Sequence, residues 1–147
     1  MRLRFSRTTD YGLRAALEVA RAPRGSLVTR HAIARATDAP ASVLAQSLSG
    51  LVRAGILAGQ AGPRGGYSLA RPAHDVTIYD VVNAIDPNDH EQRCVLREGA
   101  CSWEGACPFH AFLAQAQERF IETLRGQTLA DVLAGTAPQL SNPHPAT

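Results

Sequence analysis

The chain contains no lysine: all 15 of its basic residues are arginine. Methionine and tryptophan occur once each, and aromatic residues make up only 5% of its 147 positions. The missing lysine reads as coding bias, since arginine suits any anionic partner. Few aromatics beside 45% apolar residues argue against a large β-barrel and against a disordered chain; they fit a soluble, mainly helical protein. No apolar run approaches the ~20 residues that a membrane span requires. The opening MRLRF is followed by polar Ser6-Arg7-Thr8-Thr9-Asp10, where a signal peptide needs an apolar stretch, so a cytoplasmic location is expected. Cysteine is scarce too. Three thiols, Cys94, Cys101 and Cys107, are an odd number for a disulfide framework in a reducing compartment, and point to a metal or redox site.

Acid and base nearly balance over the whole chain, at a formal +2, but not within it. Residues 1–73 carry 11 Arg against Asp10, Glu18 and Asp38, hence +8. Residues 74–147 carry 4 Arg against 10 acids, hence −6. A basic half joined to an acidic half suggests a polyanion-binding module attached to something else.

Local patterning gives that module a shape. Thr8 or Thr9 is expected to cap a first helix, with Leu13, Ala16, Leu17 and Ala20 at helical spacing. Thr29 caps a short second helix, and Asp38-Ala39-Pro40 breaks the chain. A third helix, expected to be capped by Ser42, aligns Leu44, Leu48, Leu51 and Val52. Residues 55–58 and 67–70 read as strands around the turn Gly62-Pro63-Arg64-Gly65-Gly66. That turn lacks the spacing of a nucleotide-binding loop. Placed directly after a helix-turn-helix, the hairpin is a wing. Beyond Pro72, Thr77 caps a helix through Ile85, and residues 86–107 show no periodicity. Pro108 is expected to open a long last helix bearing Phe109, Phe112, Leu113, Ala116, Phe120, Ile121 and Leu124. A short Thr128–Leu133 segment and a Pro-rich tail follow. The expected fold is therefore mainly α: a winged helix-turn-helix over residues 1–73, a cysteine loop and long dimerisation helix over 74–134, and a tail over 135–147.

Six residues separate Cys94 from Cys101 and five separate Cys101 from Cys107. Thiolates are soft ligands that favour iron–sulfur clusters, zinc or copper. The gaps suit neither a zinc finger, with its two- to four-residue pairs, nor a ferredoxin run. An iron–sulfur cluster, a zinc ion and unligated thiols all remain open on spacing alone. His110, three residues beyond Cys107, can face the same way and serve as a fourth ligand, or be a solvent-exposed helix residue. Asp10 reads as a first-turn acid complementing its helix dipole.

The basic half is read as a DNA-binding surface. Arg2, Arg4, Arg7, Arg14, Arg30, Arg35, Arg53 and Arg64 lie on or beside the winged helix and suit phosphates, while Ser42, Gln46 and Ser49 occupy the polar side of the third helix and can reach base edges. The wide apolar stripe of the last helix exceeds what the remaining segments can cover, and reads as a homodimer interface. A dimer places two recognition helices about one DNA turn apart. An enzyme is not expected: no cysteine has a nucleophile context, and His31, His74, His90 and His144 form no base-and-orienter pattern.

With these pieces in place, the chain resembles the Rrf2 family of bacterial transcriptional regulators, the group of IscR, NsrR and RirA. The resemblance covers about residues 1–135 and rests on Thr9-Asp10-Tyr11-Gly12-Leu13-Arg14, on Gly62-Pro63-Arg64-Gly65-Gly66-Tyr67-Ser68-Leu69, on the three cysteines and on Thr128-Leu129-Ala130-Asp131-Val132-Leu133. It implies a homodimeric repressor or activator on a pseudo-palindromic double-stranded operator. It also implies a 2Fe-2S or 4Fe-4S cluster on Cys94, Cys101 and Cys107, sensing nitric oxide, redox state or cluster supply. The stretch around Asp10 looks most like NsrR, where the matching acid can ligate across the dimer; the placement of His110 looks more like IscR, where that histidine completes the site. The first cysteine gap is one residue longer than is common in IscR, and Ala45 and Ala61 replace charged residues of relatives, so neither cluster type nor operator carries over.

Overall fold

The computed structural model describes residues 5–87 and 107–135. Helix α1 spans Arg7–Arg21. Its cap is Ser6 and not Thr8 or Thr9: the Ser6 hydroxyl accepts the Thr9 N–H at 3.1 Å, and Thr9 itself is fully buried. Helix α2, Arg30–Thr37, is capped by Thr29, whose hydroxyl accepts the Ala32 N–H at 3.1 Å. It ends at Asp38 in the left-handed region, φ 53°. Helix α3, Ala41–Arg53, begins earlier than a Ser42 cap allows. The Pro40 carbonyl accepts the first helical bond, from Leu44 N–H at 2.9 Å, so Ser42 lies inside the helix and exposed.

The wing is a two-stranded antiparallel hairpin of β1, Leu57–Gln60, and β2, Gly66–Leu69, with Leu57 opposite Leu69 and Gln60 opposite Gly66. β1 starts two residues later than its apolar run suggests. Gly55 is consumed by the left-handed turn out of α3 (φ 71°), where a side chain would be strained. Val28 adds a third, single-residue rung, exchanging two 2.8 Å backbone bonds with Tyr67.

A 3-10 turn, Ala73–Asp75, leads to α4, Ile78–Ile85. After the cysteine segment come α5, His110–Arg125, and α6, Leu129–Ala134. Pro108 does not open α5. It sits in a turn closed by His110 N–H to the Cys107 carbonyl at 3.1 Å, and Phe109 takes the cap position. One core joins these elements: Ala15, Ala16 and Val19 of α1 meet Leu44, Leu48 and Leu51 of α3, Val81 and Val82 of α4, and Leu124 and Leu129 at the far end of the chain.

α3 and α4 approach closely at Gly50. A Cβ there would lie 2.8 Å from the Ala84 carbonyl oxygen, a backbone atom that cannot step aside cheaply. Gly50→Ala is therefore expected to lose about 1–3 kcal/mol through overpacking, despite alanine's better helix propensity. A urea midpoint unchanged from the parent would contradict this packing.

Two capping boxes hold the two ends of the acidic half together. Thr77 and Asp80 exchange bonds at the start of α4, as do Thr128 and Asp131 at the start of α6. The backbones are cross-tied, Ile78 N–H to Gln127 carbonyl at 2.8 Å and Leu129 N–H to Val76 carbonyl at 2.9 Å. The Thr128 hydroxyl and backbone N–H hold the Asp131 carboxyl below the usual carboxylate range. A depressed carboxylate stabilises the fold above its ordinary pKa of about 3.9, and that contribution fades as pH falls through the lowered folded value. Thr128→Ala should cost about 1 kcal/mol at neutral pH, and the gap from the parent should narrow in acid. Denaturation at neutral and acidic pH checks both parts.

Candidate nucleic-acid interface and cysteine segment

α2, the turn at Asp38–Pro40 and α3 form a helix-turn-helix in which α3 is the second, outward helix. Ser42, Gln46, Ser49 and Arg53 recur at spacings of four, three and four, and all are exposed along one stripe. Leu44, Leu48 and Leu51 hold the opposite side at 1% exposure or less. Helical period alone thus separates an exposed, mostly polar face from an anchoring face. Ser47, which sequence reasoning passed over, belongs to the anchor: fully buried, it donates its hydroxyl to the Thr8 carbonyl at 3.0 Å and ties α3 to the start of α1. Its position three residues after Leu44, on the apolar side, is the signal that marks it.

Arg30 opens α2, Arg53 closes α3 and Arg64 stands on the turn of the wing, all exposed. Among the described residues no ion pair engages them, whereas Arg14, Arg21 and Arg71 are paired with Asp10, Glu18 and Asp80. Arg35 of α2 is likewise exposed and without an ion pair, so the helix-turn-helix and wing carry four such cations, while Arg7, Arg24 and Arg119 are others elsewhere on the surface. Arg2 and Arg4 lie outside the described residues.

Of the proposed ligands, Cys94 and Cys101 lie outside the described residues. Cys107 is a half-buried free thiol on the turn before α5. His110 is exposed as the first residue of α5, not one turn inside it, and the backbone bond between them puts both on one turn. Asp10 lies elsewhere, its two carboxylate oxygens engaged by Arg14 at 3.1 and 3.2 Å, with 48% of the side chain exposed. Among the described residues no three metal-ligating side chains converge.

α5 divides along its length. At its C-terminal end Leu124 is buried, Phe120 packs on Phe5 at 5.9 Å between ring centroids, and the Arg125 guanidinium sits 4.4 Å over the Tyr79 ring. Toward its N-terminus Phe112 is 67% and Phe109 54% exposed. A shallow groove of about 560 Å³ runs there along Ala111, Phe112, Ala114, Gln115, Glu118 and Ile121. No helix among the described residues is long and apolar enough to cross a membrane.

This architecture is shared with solved structures. CymR (YrzC), the global cysteine regulator of B. subtilis, is 22% identical with a TM-score of 0.75, covering 92% of this chain and 100% of that one. IscR of T. potens is 23% identical with a TM-score of 0.72, over 95% of this chain and 93% of its own. The oxidized form of Staphylococcus aureus CymR is 21% identical with a TM-score of 0.71, over 93% and 100%. At these identities the likeness is one of fold. The family model does more: Rrf2, described as iron-dependent transcriptional regulators, matches residues 5–135. With its helix-turn-helix, wing and unpaired arginines accounted for, the chain belongs to the Rrf2 family of winged-helix, DNA-binding transcriptional regulators.

Proposed function

We propose that the chain is a homodimeric repressor of a pseudo-palindromic operator whose affinity is set by an iron–sulfur cluster held on Cys94, Cys101 and Cys107. The observation that carries this reading is the thiol triad: three soft donors within fourteen residues, the last on the turn that opens α5. The donor chemistry fits such a group. When bound, it would supply iron reactive toward nitric oxide or oxidants. His110 shares a turn with Cys107 and is exposed, so it can complete the site with little rearrangement. Asp10 would have to release Arg14 first, and would act across the dimer.

The division of labour follows the charge. Residues 1–73 read DNA, residues 74–134 hold the sensor and pair two chains through the exposed apolar end of α5, and residues 135–147 form an appended tail. Ligation ties the cysteine segment to α5, and the cross-tied caps of α4 and α6 join α5 to the core beneath the reading head. Losing the ligation would free the spacing of the two heads, a local ligand change with a distant readout. A second reading, a zinc-stabilised or cluster-free regulator, draws on the likeness to CymR, a cysteine regulator in B. subtilis. Anaerobic purification separates the two. A brown protein with broad visible absorbance and bound iron is expected, and a colourless one containing zinc would favour the second reading.

A further inference from the structure

The reading side of α3 is free of charge. From Ala41 to Val52 the helix has neither acid nor base, and Arg53 is its first ionic residue. What faces outward is Ser42, Gln46 and Ser49, flanked by half-exposed Ala45 and by Val52 at 38% exposure. Each base selects a different partner in the major groove. Guanine takes the paired donors of Arg or Lys and cytosine a carboxylate; adenine takes a bidentate amide, and the thymine methyl an apolar contact. The groups for the first two are missing from this face, and those for the last two are both present, Gln46 in the exposed stripe and half-exposed Ala45 at its flank. The serine hydroxyls make single bonds to any base and discriminate less.

Arg53 does not change this. It lies about 16 Å along the helix axis from Ser42, while the N-terminal residues of a recognition helix are the ones that meet base edges. Its exposed, unpaired guanidinium therefore suits a phosphate. Arg64, the cation on the wing turn, points the same way, because A·T-rich duplex has a narrow minor groove whose enhanced negative potential attracts a single arginine.

Resting on the DNA-binding reading above, we propose that the operator half-site is A·T where α3 reads it, with adenine against the Gln46 amide and the neighbouring thymine methyl against Ala45. Specificity then comes from amide and methyl contacts, and affinity from arginines that touch no base in the major groove.

Selection of bound sites from a random duplex library by the full chain, followed by titration of the winning site, tests this. Selected half-sites should share an A·T pair whose replacement by G·C weakens wild-type binding about 5- to 150-fold. Gln46→Ala should erase that discrimination, bringing affinity for the winning site down to that for its G·C counterpart, whereas a merely structural role would weaken both sites alike and keep their ratio. Gln46→Glu should move the preference at that pair toward cytosine. A G·C pair there, or discrimination that survives Gln46→Ala, overturns the inference. Wild-type protein that binds every duplex alike overturns it too but leaves DNA binding standing; a protein that binds no duplex overturns both.

Discussion

Cys101→Ala is expected to abolish visible absorbance and the response to nitric oxide. Cys101 is the middle thiol of the triad, with its nearest partners six and five residues away. Removing it leaves two thiolates, so that even with His110 or Asp10 the site is one ligand short of the four that such a cluster takes. The core of the described residues is closed by other side chains, so its packing should survive loss of the cluster. The variant's far-ultraviolet circular dichroism and its affinity for random duplex should match the parent. Full cluster retention in Cys101→Ala would refute this ligand set. If the colour vanishes while nitric oxide still alters operator binding, the sensor lies elsewhere.

A combined Arg30→Ala, Arg53→Ala and Arg64→Ala variant should bind duplex DNA about a hundredfold more weakly near physiological salt, and should flatten the dependence of log affinity on log salt by about three units. All three side chains are exposed and, among the described residues, form no ion pair, so little folding energy is at stake. The contrast with Arg14 sharpens this. Its charge is already met by Asp10, so Arg14→Ala should change the slope less. An unchanged slope in the triple variant would move the phosphate-binding surface off the helix-turn-helix and wing.

How far these surfaces were legible depended on how local their causes are. The stripe of Ser42, Gln46, Ser49 and Arg53 follows from helical period and the placement of Leu44, Leu48 and Leu51, so sequence sufficed. Thr29 and Thr77 cap as their spacing implies. The failures came where a neighbour competed for the same role. Ser6 displaced Thr8 and Thr9 because burying Thr9 extends α1 backward. Pro40 offered a carbonyl to α3 before Ser42 could cap it. Gly55 took the left-handed turn that pushed β1 toward the wing tip. Contacts between distant residues had no local signature at all: the Val28–Tyr67 rung, the Ser47–Thr8 bond and the tie between Val76–Ile78 and Gln127–Leu129 each join segments whose approach is set by the tertiary fold. The Asp10–Arg14 pair is different. Its four-residue spacing was visible, and it shows what a ligand role for Asp10 would have to displace.

The most direct test of the whole account is operator affinity of the anaerobically purified full chain, measured at one salt concentration before and after nitric oxide. A repressor whose two heads are set by ligation of the cysteine segment should lose about 5- to 150-fold in affinity as the visible absorbance disappears, the usual span of a coupling between two sites. Operator affinity that stays constant while the absorbance is lost would contradict it.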